Sequence, residues 1–239
     1  RENGVEPIVT MMHFTSPKWL IENGGWENEA TVEAFKNYCQ YVTEQLGDLM
    51  HYVCTINEAN MGIQVAAISA RYRAQMMAKM QRMQQGGAEE KKDLEGTAQV
   101  GMNFNDMMAN MQKQKEENVE IFGTDTLQTF VSARTPEGDM LVIRAHQAAR
   151  AAMKAVKPEL QIGLTLSLHD IQAQEGGEET AAKEWVDEFT HYVPYIKEDD
   201  FFGLQNYSRS LIGPNGILPV PEGAEITQMD YEYYPEGLE

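Results

Sequence analysis

Cysteine is scarce in this 239-residue sequence, which has only Cys39 and Cys54. Two thiols cannot make a disulfide framework, and no Cys-x-x-Cys pair or His/Cys cluster marks a zinc site. Basic side chains are also few. Nineteen Lys and Arg stand against 37 Asp and Glu, a formal net charge of −18. A phosphate backbone rewards a basic face, so this balance argues against a nucleic-acid partner and equally against an anionic membrane surface. Long apolar runs are missing too: none approaches the roughly 18 residues of a membrane span. Arg1-Glu2-Asn3-Gly4 carries nothing like the apolar stretch of a secretory leader. The expectation is a soluble, reduced, cytoplasmic protein. At 42% apolar residues, the chain has an ordinary globular composition and the length to bury a sizeable core.

Along the chain, apolar runs without helical period alternate with amphipathic stretches. Residues 5–14 form a short apolar run between Gly4 and Ser16-Pro17, which predicts a buried strand. A helix is predicted from Asn28, with Asn28 as its cap and Val32, Phe35, Cys39, Val42 and Leu46 on one face. Residues 50–56 read as a second strand, 160–168 as a third and 201–207 as a fourth. Helices are predicted over 139–156, stopped by Lys157-Pro158, and over 178–196. The tail from Leu211, rich in Pro and Gly, has weak strand or loop character.

Residues 61–138 differ from the rest. They carry Met76, Met77, Met80, Met83, Met102, Met107, Met108 and Met111 among Gln, Lys and Glu, interrupted by Gly86-Gly87 and Gly96. Two or more amphipathic helices joined by loose loops are expected there, as packing over the fold rather than as a partner-binding surface. The element order is β-α-β-insert-α-β-α-β. Apolar strands separated by helices imply a parallel sheet covered on both faces, with functional residues at the C-terminal strand ends. His13-Phe14, Asn57-Glu58, His169 and Asn206-Tyr207 hold those places. Ser167, His169 and Asp170 are residue types of a hydrolase triad, but neighbours on a strand point to opposite faces and cannot form a relay.

Four motifs then resemble one family. They are Glu6-Pro7-Ile8-Val9-Thr10 with His13-Phe14; Gly24-Gly25-Trp26-Glu27-Asn28; Leu46-Gly47-Asp48 with Thr55-Ile56-Asn57-Glu58; and the run Asp200 to Ser208. In this order they resemble family 1 glycoside hydrolases, the β-glucosidase family. The ending, from Val220 to Leu238, is similar to the lead into that family's seventh repeat. The resemblance implies an α/β fold, part of a (β/α)8 TIM barrel holding strands three to six. It further implies a single partial barrel over residues 1–239, truncated at both ends, with 61–138 as a long insertion.

The resemblance also implies the chemistry. Retaining glycosidases use two carboxyl groups about 5–5.5 Å apart, one an acid/base and one a nucleophile. Glu58 matches the acid/base. Asn57 matches the residue that bonds the sugar 2-hydroxyl, and His13 a contact to the glycone hydroxyls. Phe14 stands where tryptophan is common, keeping an apolar wall. Tyr207 matches a tyrosine that holds the nucleophile, and Gln205 stands within reach of the acid/base. Ala59 replaces the proline usual after the glutamate. The nucleophile motif has no counterpart at the expected place; Glu22-Asn23-Gly24 spells part of it but sits in the loop after strand three. The implied function is a retaining β-glycosidase acting on β-linked glucosides, with the nucleophile beyond these residues. Its partner is a carbohydrate substrate, with no metal and no cofactor. The alternative is a non-catalytic sugar- or partner-binding half-barrel module.

Overall fold

The computed structural model describes residues 3–85, 104–229 and 231–238. Strand β1 (Ile8–Met12) pairs in parallel with β2 (Tyr52–Ile56), from Ile8↔Tyr52 to Met12↔Ile56. β2 pairs in parallel with β3 (Gln161–Gly163). The chain passes through Leu164 into β4 (Thr165–Ala173), which pairs in parallel with β5 (Gly203–Gly213). A short β6 (Gly216–Ile217) turns back antiparallel on β5. β3 and β4 are thus two pieces of one path, and the parallel order runs β1, β2, β3/β4, β5.

Between the strands lie α1 (Lys18–Glu22), α2 (Ala30–Leu46), α3 (Met61–Gln85), α4 (Phe104–Phe122) and α5 (Pro136–Val156). After β4 come α6 (Glu178–Trp185), a π turn over Val186–Thr190 and α7 (Val193–Ile196). Crossovers between parallel strands are right-handed in nearly all proteins and bring each helix back across the sheet. Phe35 and Cys39 of α2 and Val142, Ala145, Ala149 and Met153 of α5 meet Val53 and Ile56 of β2 in one buried core. Four of the five β2 residues are buried, as expected for a strand covered on both faces. Burial holds the Cys39 and Cys54 thiols above their ordinary range, and both are free.

α5 begins where several local signals agree. Thr135 caps it by accepting from the Gly138 amide at 3.0 Å, and Pro136 fills the first helical position. Glu27 grips the same turn, accepting from the Thr135 amide at 2.7 Å and its hydroxyl at 2.6 Å. Gly138 leaves space for that carboxylate.

Several expectations are corrected in detail. The predicted helix over 178–196 is broken at the π turn, where the His191 ring nitrogen Nδ1 meets the Val186 carbonyl at 2.8 Å. β5 continues to Gly213 instead of ending at 207, because β4 pairs with it as far as Ala173↔Ile212 and β6 takes its last two residues. His169 lies inside β4 rather than at its end, next to a register shift between Leu168 and Asp170. Asn28 does accept from the Ala30 amide, at 2.9 Å. Within residues 61–138, α3 and α4 are helical, as expected. Gly86, Gly87, Gly96 and Met102 lie outside the described residues, as do the side chains of Met76, Met80, Met83, Met107, Met108 and Met111. Among the described residues, no helix is long and apolar enough to cross a membrane.

Candidate active site

The ends of β1 and β2 both leave their strands through a left-handed residue. Phe14 has φ +67° and Glu58 has φ +45°. Such a conformation is unfavourable for a residue with a Cβ and persists only when its surroundings over-determine it. At Glu58 they do. The Asn57 amide donates to Met12 O at 2.9 Å, the Glu58 amide to Thr165 Oγ1 at 2.8 Å, and the Ala59 amide to Thr165 O at 2.9 Å. Asn60 closes the segment: its side chain bonds both the amide and the carbonyl of Ser167, at 3.0 and 2.7 Å. The Asn57–Asn60 turn is therefore pinned across to β1 on one side and β4 on the other.

That pinning leaves Glu58 3% exposed, its carboxyl accepting from the Tyr207 hydroxyl. Burial comes first among the causes that push the Tyr207 phenol up to about 12, followed by the hydrogen bond to Glu58 and its charge. The phenol therefore stays a donor at any ordinary pH. Gln205, two residues earlier on β5, shares a face with Tyr207. Its amide donates to Asn57 Oδ1 at 2.6 Å and to Thr165 Oγ1 at 3.0 Å. Gln205 therefore meets Asn57 and Thr165 rather than Glu58, whose carboxyl is met by Tyr207. Asn57 also lies 3.4 Å from His13 Nε2. His13 packs edge-on against Phe14 at 4.8 Å, and Phe14 stacks on Phe130 at 5.9 Å.

The structure therefore gathers His13 and Phe14 after β1, Asn57 and Glu58 after β2, and Gln205 and Tyr207 from within β5 into one surface. Sequence reasoning missed Thr165, which bonds Asn57, Glu58 and Gln205 together. It also missed Arg134, whose guanidinium donates to the Ala59 carbonyl at 2.6 Å. Neither carries a motif signal of its own.

Beside Glu58 opens a cavity of about 700 Å³. One wall is the start of α3, with Met61, Ala67 and Ile68; the other is the β5–β6 hairpin with Leu218 and Val220. Four further carboxylates line it, and each is engaged; Glu232 pairs with Arg209 at 2.7 Å. Glu184 pairs with Arg71 at 3.1 Å, Glu188 with His169 at 3.1 Å, and Asp187 with Lys183. His169 thus pairs with Glu188 rather than with Asp170.

Residues 1–85 match the family model described as glycosyl hydrolase family 1. A human protein, cytosolic beta-glucosidase, is 47% identical over 60 residues, 25% of this chain and 13% of that protein. The crystal structure of beta-glycosidase BGL167 superposes with a TM-score of 0.73 at 32% identity, covering 99% of this chain and 50% of that one. The apo structure of beta-glucosidase 1317 gives 0.74 at 27% identity, with the same coverage of 99% and 50%. The chain spans about half the length of these solved structures. Residues 1–85 are thus similar in sequence to glycosyl hydrolase family 1, and nearly the whole chain is similar in fold to these solved beta-glycosidases.

Proposed function

We propose that this chain supplies the acid/base half of a retaining β-glycosidase acting on β-linked glucosides or close relatives. The observation that carries the reading is Glu58: a buried carboxyl at a strand end, in a strained and fully latched turn, bonded by a phenol that stays protonated. In this reading Glu58 protonates the departing oxygen and then takes a proton from the incoming water. Asn57 bonds the sugar 2-hydroxyl, while His13 and Phe14 form the wall of the sugar site. Gln205 orients Asn57, and Tyr207 orients Glu58. The leaving group lies in the apolar cavity between α3 and the β5–β6 hairpin. The attacking carboxylate comes from outside these residues, because Glu184, Asp187, Glu188 and Glu232 are each held by a cation or a histidine. Residues 1–239 form a single partial barrel, with 61–138 as an insertion that packs over it. The setting is cytoplasmic, the substrate a carbohydrate, and the chemistry needs only two carboxyl groups.

The test uses the full-length protein. Glu58→Gln is expected to slow substrates with poor leaving groups by about 10²-fold or more, the usual range for general acid catalysis, and to spare activated ones. Equal losses on both would reject the acid role. The 239-residue chain by itself is expected to be inactive; a rate abolished by Glu58→Gln would overturn the statement about the nucleophile. One observation favours a second reading, a sugar-binding module: every other carboxylate lining the cavity, Glu232 included, is already engaged. Tight glucoside binding by a full-length protein with no turnover would establish that reading.

A further inference from the structure

The turn that carries Glu58 is held from behind by a buried cation. Arg134 is 4% exposed and donates to the Ala59 carbonyl at 2.6 Å and the Phe130 carbonyl at 3.3 Å. Its guanidinium sits 4.6 Å from the centroid of the Phe130 ring, which in turn stacks on Phe14. Gly62 gives it room, since a Cβ there would lie 2.5 Å from Arg134 Cζ. The Gly62 carbonyl accepts from the Arg134 amide at 3.0 Å. Asp139 provides the countercharge at 3.9 Å and is itself fixed by Tyr192 at 2.7 Å and His191 at 3.0 Å.

Burial pushes the Arg134 guanidinium below its ordinary range, opposed by the charge of Asp139 and then by Tyr192 and Glu27. A buried cation is tolerated only when paired and hydrogen-bonded, and filling space alone would be done as well by an apolar side chain. What the guanidinium adds is direction. Thr165 fixes the peptide before Glu58 through its hydroxyl and the peptide after it through its carbonyl. Arg134 fixes the next one, between Ala59 and Asn60. Three successive peptide planes are then set, and the left-handed φ of Glu58 is locked between them. Through Phe130, the same side chain is tied to the Phe14 wall.

We propose that Arg134 is a positioning residue for Glu58, acting through the Ala59 carbonyl to keep the carboxyl aimed at the departing oxygen. The proposal rests on Glu58 being the acid/base. It is tested in the full-length protein with two β-glucosides of the same sugar, one releasing a strongly acidic phenol and one an alkyl alcohol. Arg134→Met is expected to lower kcat on the alkyl glucoside about 10-fold or more beyond its effect on the activated one, a fraction of the full acid contribution. Arg134→Lys, which keeps the charge but makes a single-point contact, is expected to fall between Met and wild type. A side chain that only supports the fold would lower both substrates together, through fewer active molecules. Equal losses therefore overturn the proposal. If Arg134→Met fails to fold, Arg134→Lys carries the test alone: a selective loss of about 3-fold or more supports it, and an unchanged ratio overturns it. Glu58→Gln runs beside them. If that variant is itself unselective, the acid/base reading falls and the proposal with it; if it is selective and both Arg134 variants are not, the proposal alone falls.

Discussion

Thr165 carries more of the site than its place in an apolar strand suggests. Its hydroxyl accepts from the Glu58 amide and from Gln205, and donates to Asn57 at 3.3 Å. Thr165→Val keeps the shape and removes the hydroxyl, stranding the Glu58 amide out of water. That is expected to cost about 1–3 kcal/mol, read from urea unfolding, while Thr165→Ser stays close to wild type. A Val variant as stable as the parent would show that the amide finds another acceptor. Tyr207 gives a second prediction at this scale. With its phenol pushed up to about 12, it contributes no tyrosinate absorbance at pH 10, and Tyr207→Phe leaves the tyrosinate spectrum there unchanged. The sign follows from the shift: the neutral phenol's contribution is complete below the ordinary value near 10 and fades only as pH rises through about 12. A drop in the pH 10 absorbance on substitution would mean the phenol is more open than its bond to Glu58 implies. The residues legible in advance, Glu58, Asn57 and His13, are those whose motif is contiguous or lies at a strand exit. Arg134 and Thr165 were not, because each meets the Asn57–Asn60 turn across 75 or more residues and offers only an ordinary side chain to the reader.

Elements were easier to foresee than their ends. The cores of α2 and α5 follow the spacing of Phe35, Cys39, Ala145, Ala149 and Met153 on one face each, which is a local property. The break at residues 186–190 was hidden because it depends on a distant carboxylate. The His191 ring is held at Nδ1 by Val186 O and at Nε2 by Asp139 on α5, 3.0 Å away. Burial lowers the affinity of that imidazole for its proton, but the Asp139 hydrogen bond, the Val186 carbonyl and the charges of Asp139 and Asp187 together leave it raised. A raised imidazole stabilises the fold fully below its ordinary value of about 6.5 and loses that contribution as pH rises through the folded-state value. Stability is therefore expected to decline as pH rises above about 6.5, and the difference between wild type and His191→Gln should shrink over that rise. A constant difference would exclude the imidazolium. The start of α5 gives the opposite lesson about propensity. Replacing a mid-helix Gly by Ala ordinarily gains about 1 kcal/mol. At Gly138 the new Cβ would lie 2.5 Å from the Glu27 carboxylate and push it off Thr135. Gly138→Ala is expected to lower the melting temperature, and Glu27→Ala combined with it should remove most of that penalty. A higher melting temperature for the single variant would show that Glu27 adds nothing to the cap.

At the scale of the whole molecule, two opposing features govern behaviour in solution. The parallel order of strands was readable from the alternation of apolar runs and helices, but what covers its flanks was not, because a sequence pattern does not say which strand is outermost. Among the described residues, β1 pairs on one side only, and β5 finds β6 only at its far end, Ile212–Gly213. Near these edges Val5 is 66% exposed, Ile8 65%, Leu204 50% and Phe202 39%, so apolar side chains accompany unpaired backbone. Such an edge is a template for pairing with a second copy. Against it stands the net charge of −18, which repels copies of the same chain. The range of that repulsion is set by salt, from about 30 Å at 0.01 M to about 3 Å at 1 M, whereas strand pairing and apolar contact are short-ranged and survive screening. The 239-residue chain on its own is therefore expected to sediment mainly as a monomer at low salt and to associate increasingly as sodium chloride is raised. A lysine introduced at the exposed Ile8 should suppress that association without lowering the melting temperature, because the side chain already faces solvent. A chain that remains monomeric at 1 M salt, or a lysine variant that associates as readily as the parent, would show that the β1 edge is not the contact.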